Sequence, residues 1–258
     1  MSGHSKWSKI KRAKAATDAA RGAIFTKVGR AITVAASEGG GDPEMNFSLR
    51  LAIEKAKEAN MPQNNIGRSI KRGTGEIEGV EIQTATYEAY GPGGSALLID
   101  TQTDNTNRTV ADIRKIIDDS GGKMADSGSV SWQFTEKGLI TVVPAKLKES
   151  EKYGKEDAYQ PVDKEEIQLE LLGIDGIEDI QEVKIEDEDE TEVEALEVFT
   201  SRNNLAKVRE GIEKLKLKVE SAELIKVAKD NLEVEKEAMT KIAKLVDTLE
   251  EHEDVQSV

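Results

Sequence analysis

The stretch Ile82-Gln83-Thr84-Ala85-Thr86-Tyr87-Glu88-Ala89-Tyr90-Gly91-Pro92-Gly93-Gly94-Ser95-Ala96-Leu97-Leu98-Ile99-Asp100-Thr101 decides how the chain divides. Residues 82–90 and 95–101 are rich in β-forming side chains, and the Gly-Pro-Gly-Gly between them can supply a tight reversal. The stretch therefore predicts a β-hairpin. A phosphate-cradling loop is excluded, because no Lys-Ser/Thr follows the glycines and the next residues read as a strand.

Upstream of this hairpin the texture is helical. Ala20, Ile24, Val28, Ile32 and Ala35 step by three or four and share one face, with Lys27 and Arg30 on the other side. Gly39-Gly40-Gly41-Asp42-Pro43 ends that helix. A second helix runs from about Asn46, with Leu49, Ile53 and Ala56 inward, and closes at Asn60-Met61. Pro62 opens a short third helix, with Ile66 and Ile70 inward and Arg68, Lys71 and Arg72 on its polar side. Three short-linked helices can bury a common face only by packing together, so residues 1–79 are expected to form a three-helix bundle.

Downstream, Asp104–Arg108 is a polar turn able to cap a helix striped by Val110, Ile113 and Ile117. Val130, Trp132 and Phe134 alternate, which predicts a strand over 128–134, and another strand follows over 139–143. Residues 145–160 read as a polar loop. Asp163 with Glu166 three residues on predicts a capped helix through Ile167, Leu169, Leu171 and Leu172. Strands near 180–185 and 195–200, a helix with Leu205, Val208, Ile212 and Leu215, a strand over 218–227 and a helix with Met239, Ile242, Val246 and Leu249 complete the order. The expected fold is α+β in three domains, the bundle being followed by two ferredoxin-like domains with the third inserted in the second. The expected boundaries are 1–79, 80–136 plus 203–258, and 137–202.

Charge separates these regions. Residues 1–75 carry 14 Lys+Arg against 6 Asp+Glu, a net of +8, whereas 76–258 carry 22 against 44, a net of −22. A basic module in a chain of net charge −14 points to a polyanionic partner. The candidate phosphate contacts are Lys6, Lys9, Lys11, Arg12 and Lys14 with Trp7 to stack or anchor, then Lys27 and Arg30, then Arg68, Lys71 and Arg72, and Arg108 beside the hairpin. Each has a plainer reading as solvated helix surface, and Asp104 or Asn105 beside Arg108 as a helix cap. The acidic run Glu186-Asp187-Glu188-Asp189-Glu190 lacks the glycine and spacing of a calcium loop.

With no cysteine and only His4 and His252, thiolate and most zinc sites are excluded, as is serine-histidine machinery. No catalytic residue, metal, cofactor or small-molecule substrate is expected, and the chain reads as non-enzymatic. No stretch approaches the roughly 20 apolar residues of a membrane span, and no apolar core follows the basic start, so a cytoplasmic location without membrane contact is expected.

Several segments taken together are more specific than any of these features. Gly3-His4-Ser5-Lys6-Trp7, Phe25-Thr26-Lys27, Gly39–Pro43, Asn60-Met61-Pro62, Ile70-Lys71-Arg72-Gly73-Thr74-Gly75, Tyr90–Gly94 and Thr103-Asp104-Asn105 with Asn107-Arg108-Thr109 resemble the YebC/PmpR family in order along nearly the whole chain. The resemblance implies a helical N-terminal domain and two α+β domains. It implies either a DNA-binding transcriptional regulator or, as in other members, a translation factor that binds ribosomal or transfer RNA at the ribosome. The segments 149–160 and 186–194 are not part of that pattern. The absence of a visible helix-turn-helix, zinc-finger or homeodomain signature slightly favours structured RNA, but family naming favours DNA-binding transcriptional regulation, which is the first expectation, with the translation factor as the alternative.

Overall fold

The computed structural model describes residues 18–148, 158–186 and 191–258. Two compact units are present, Met1–Phe134 with Ala228–Val258, and Thr135–Val227 inserted between them.

The first unit begins with three helices, α1 (Asp18–Gly39), α2 (Phe47–Glu58) and α3 (Gln63–Gly73). Their shared core is Val28, Ile32, Ala35, Ala36, Leu49, Ala52, Ala56, Met61 and Ile66, with Ile53 and Ile70 packed partly buried against it; the periodicity assigns Val28, Ile32, Ala35, Leu49, Ile53, Ala56, Ile66 and Ile70 inward, and Ala36, Ala52 and Met61 join them. Asn46 fixes the α1–α2 corner. Its side chain accepts the Leu49 N–H at 3.0 Å to cap α2, and its Nδ2 donates to the carbonyls of Ala35 and Gly40 at 2.7 and 2.8 Å. Gly73 lets α3 approach α1 closely, since a Cβ there would lie 2.3 Å from the Thr33 carbonyl.

The hairpin follows as β1 (Gln83–Tyr90) and β2 (Ala96–Thr103), antiparallel, with Tyr90 opposite Ala96. Gly93 and Gly94 take φ of 69° and 77°, a conformation open mainly to glycine. Helix α4 (Thr106–Asp119) is capped by Asn105, whose side chain accepts the Arg108 N–H at 3.1 Å. The strand β3 (Lys123–Ala125) pairs with β1. After the inserted unit, α7 (Lys236–Glu251) and β9 (Val255–Ser257) return, giving the sheet order β3-β1-β2-β9. Ala89, Leu97, Ile99, Ile113, Ile117, Leu245, Leu249 and Val255 fill the space between this sheet and its helices. Leu245 and Leu249 carry the inward stripe of α7, and Met239 is exposed.

The inserted unit contains β4 (Phe134–Lys148), β5 (Ala158–Pro161), α5 (Lys164–Leu172), β6 (Ile177–Glu186), β7 (Glu192–Ser201), α6 (Leu205–Lys214) and β8 (Leu217–Ala228). Its sheet runs β5-β4-β7-β6, with β8 also on β4. Apart from β5, this is the strand-helix-strand-strand-helix-strand order of a ferredoxin-like fold. Asp163 caps α5 by accepting the N–H groups of Glu165 and Glu166 at 2.9 and 3.1 Å. Ile167 and Leu171 are buried, while Leu169 and Leu172 face out. The architecture is thus α+β, with three helices leading into two antiparallel sheets. Because β8 pairs with β4, residues 205–227 lie with the inserted unit, whereas the sequence reading groups 203–258 with the outer segment.

Two local expectations are corrected. The polar loop read over 145–160 is strand at both described ends, where Ala145–Lys148 pairs with Ala158–Pro161. The strand read over 128–134 does not form; Ser131–Gln133 is a 3-10 turn and Trp132 is 65% exposed. Glu88 is the cause. Its buried carboxylate accepts N–H groups from Gly128 at 2.7 Å, Val130 at 2.6 Å and Ser131 at 3.0 Å. Three neighbouring amides aimed at one acceptor cannot alternate along a ladder.

Burial pushes the Glu88 carboxyl up, but the backbone N–H bonds outweigh it and hold the group at about 2, down from 4.5. A depressed carboxylate stabilises the fold above its unfolded value and loses that contribution as pH falls through its folded value. The window here runs from pH 4.5 down to about 2. Glu88→Gln, which places an amide NH₂ among N–H donors, is expected to cost about 2 kcal/mol at neutral pH. It should also flatten the acid limb of stability in that window; equal acid sensitivity of mutant and parent in urea unfolding would refute the assignment.

Candidate nucleic-acid interface

Lys6, Trp7, Lys9, Lys11, Arg12 and Lys14 lie outside the described residues. The other candidates fall into two groups.

Lys27, Arg30 and Arg108 converge on the C-terminal segment 250–254. Lys27 is buried and its Nζ donates to the Glu250 carbonyl at 2.9 Å. Arg30 donates through Nη1 to Asp254 Oδ1 at 2.6 Å and to the Glu253 carbonyl at 2.9 Å. Arg108 donates through Nη2 to Asp104 at 2.9 Å and to Asp254 Oδ2 at 3.1 Å. The side of α1 that sequence spacing leaves polar is therefore covered, and its cations meet acceptors supplied by the far end of the chain.

Asp254 is fully buried. Besides the two arginines, Oδ2 receives the hydroxyls of Thr109 at 2.6 Å and Thr103 at 3.1 Å. Its own N–H donates to His252 Nδ1 at 3.2 Å, and its carbonyl accepts the Gln102 N–H at 2.8 Å. With Nδ1 accepting, the His252 proton sits on Nε2, 3.4 Å from Asp112 Oδ2. Burial raises the Asp254 carboxyl, yet the hydrogen bonds of Thr109 and Arg108 and the charges of Arg30 and Arg108 bring it below the ordinary aspartate range. Burial, and then the Asp254 charge, push the Tyr87 phenol up.

Arg68, Lys71 and Arg72 form the second group. They are exposed at spacings of three and four on α3, opposite buried Ile66 and Ser69. The Arg72 stem lies over Gly79, where a Cβ would meet its Cγ at 2.6 Å. Such an exposed basic side can approach phosphates without losing internal bonds.

Sequence reasoning missed Asp254 and Glu88 altogether. It also misplaced Trp132, which stands exposed beside Tyr90. Among the described residues, no group of three or more His, Asp or Glu is arranged to hold a metal ion, and no helix is long and apolar enough to cross a membrane.

Asp254→Asn keeps the shape but removes the charge shared by two arginines, and about 3 kcal/mol of stability should be lost at neutral pH. The depressed carboxyl contributes above the unfolded aspartate value of 3.8 and loses that contribution below it, so the mutant and parent melting curves should converge in acid. Arg30→Gln should lower melting temperature more than nucleic-acid affinity. The reverse ranking would show that Arg30 serves a ligand.

Residues 5–76 match the TACO1/YebC protein N-terminal domain, and residues 82–258 match the TACO1/YebC second and third domain. A relative from Halothermothrix orenii, named "Probable transcriptional regulatory protein", is 45% identical over all of this chain and 93% of its own length. A relative of the same name from Persephonella marina is 46% identical over all of this chain and 94% of its own. The crystal structure of a conserved hypothetical protein from Aquifex aeolicus superposes with a TM-score of 0.76 at 36% identity, covering 95% of this chain and 90% of that one. With both domain descriptions matched in order and full-length relatives at this identity, the chain belongs to the TACO1/YebC family.

Proposed function

We propose that the protein is a nucleic-acid-binding regulator that acts on DNA in transcription, with the exposed basic side of α3 and the basic segment 6–14 as its phosphate-binding surface. The observation that carries this reading is the separation of cations. Lys27, Arg30 and Arg108 meet acceptors of the same unit, whereas Arg68, Lys71 and Arg72 stand exposed on one helix side. The relatives' name, "Probable transcriptional regulatory protein", supports the regulatory part. The net of +8 over residues 1–75 supports a polyanion as partner. The acidic remainder, at −22, repels bulk nucleic acid and so limits unspecific coating.

The test is binding of duplex DNA across a salt series by the parent, by Arg68→Gln/Lys71→Gln/Arg72→Gln, and by a variant neutralised at Lys6, Lys9, Lys11, Arg12 and Lys14. Each lost phosphate contact should reduce the slope of log affinity against log salt by about 0.9. The triple variant is expected to bind at least about tenfold more weakly at 100 mM salt with its melting temperature unchanged. Unaltered affinity and slope in both variants would reject the surface. Comigration of the parent with ribosomes, abolished by RNase, together with no shift of DNA, would replace transcription by a translation role.

A further inference from the structure

The loop that Glu88 organises presents two aromatic side chains to solvent. Trp132 is 65% exposed and Tyr90 is 41% exposed. Both are fixed at their polar ends by the same acceptor: Trp132 Nε1 donates to the Ser129 carbonyl at 3.0 Å, and the Tyr90 hydroxyl donates to it at 3.3 Å. The indole N–H and the phenol are thus satisfied within the protein, and what remains facing outward is apolar ring surface. The two rings hang from a single carbonyl.

That carbonyl is itself held still. Gly128, Val130 and Ser131, on both sides of Ser129, donate their N–H groups to the buried Glu88 carboxylate. Ser129 N–H closes a turn on the Asp126 carbonyl at 3.1 Å. Lys229 braces the other edge, its N–H on the Gln133 carbonyl at 2.8 Å and its Nζ on the Trp132 carbonyl at 2.6 Å. Lys123 is the cross-strand neighbour of Tyr90. A buried charge with three amide partners is a costly way to shape a loop whose product is an exposed tryptophan. Exposed large aromatics held in one orientation are suited to flat π-faced ligands, because little side-chain entropy remains to be lost on stacking.

We infer that Trp132 and Tyr90 form a stacking platform for unpaired nucleobases of a single-stranded nucleic acid, with the exposed Lys123, cross-strand neighbour of Tyr90, beside it to meet a phosphate. The inference rests on the nucleic-acid reading above and adds a second contact of a different kind. Base stacking on aromatic side chains tolerates sequence, since every base has a π-face. Duplex DNA keeps its bases stacked on each other and offers these rings nothing. Stacking itself releases no counterions, so the aromatic part of this contact depends less on salt than the basic side of α3 does. RNA and DNA single strands share the chemistry, and the test separates them.

The chain has two tryptophans, Trp7 and Trp132, so Trp7→Phe leaves Trp132 as the single indole reporter in the full-length protein. That variant is titrated with a twelve-nucleotide oligouridylate, the matching oligothymidylate and a twelve-base-pair DNA duplex at 200 mM salt. Binding is read in parallel from the anisotropy of labelled strands. Saturable quenching of Trp132 emission by a single strand, and none by the duplex, is expected; whichever of RNA and DNA quenches at lower concentration is the preferred source. Trp132→Ala should weaken single-strand affinity roughly tenfold while leaving duplex affinity within about twofold, and Trp132→Phe should restore most of it. Single-strand binding that saturates without altering Trp132 emission overturns the platform and leaves the nucleic-acid reading standing. If the unmutated protein binds neither strand nor duplex at any salt, both fall. The emission readout keeps Trp132 in place and so does not depend on how the Trp132 variants fold.

Discussion

A carboxylate at zero exposure is tolerable only when its charge and its lone pairs are all met, because desolvation of an isolated ion costs far more than a fold of ordinary stability can supply. Asp254 meets that requirement with donors from parts of the chain that lie far apart. Arg30 comes from α1, Thr103 from the end of β2, and Arg108 and Thr109 from the first turn of α4. None of these groups could satisfy the aspartate alone. The three-helix part and the first sheet are therefore bound to one arrangement by a shared electrostatic constraint. Apolar packing between them could slide, whereas this network has one solution.

A related constraint separates the described cations of the helical part. A cation that donates to a buried carboxylate or a backbone carbonyl would leave that acceptor uncompensated if it turned toward a ligand. Lys27 and Arg30 are committed in this sense, as Arg108 is through Asp104 and Asp254. On α3, by contrast, burial of Ile66 and Ser69 turns Arg68, Lys71 and Arg72 outward. Counting basic residues locates a basic region, but hydrogen-bond commitments separate the members held within the fold from those left exposed.

Much of the fold was legible because its causes are local. The Gly91–Gly94 reversal needs backbone angles that glycine supplies, so the hairpin follows from four residues. Asn105 and Asp163 cap the helices that begin just after them, and the spacing of Val28 and Ile32 or of Val208 and Ile212 marks faces that are in fact buried. What could not be read depends on residues distant in sequence. Asp254 stands after Glu250, Glu251, His252 and Glu253 and looks like one more solvated acid, because nothing nearby reveals the donors that await it near positions 30 and 105. Trp132 alternates with Val130 and Phe134 as a strand would, and only the carboxylate of Glu88, some forty residues earlier, shows why the backbone curls instead. Likewise the sequence reading groups 205–227 with the outer segment, and only the pairing of β8 with β4, a contact between residues far apart in the chain, places that strand in the inserted unit's sheet.

Glu88 and Asp254 show two uses of one device. Glu88 is neutralised by backbone N–H groups close together in the chain, so it dictates the shape of a single loop. Asp254 is neutralised mainly by side chains from separate elements, so it dictates how those elements meet. In a chain with 50 acidic residues, most of the described carboxylates lie at the surface and contribute to a diffuse field. These two are not interchangeable, because each is surrounded by donors that a neutral replacement of the same size could satisfy only in part. Acidity in the outer part of this protein thus has two separate physical meanings, a diffuse field at the surface and buried anions, Glu88 and Asp254 among them, that position what the surface presents.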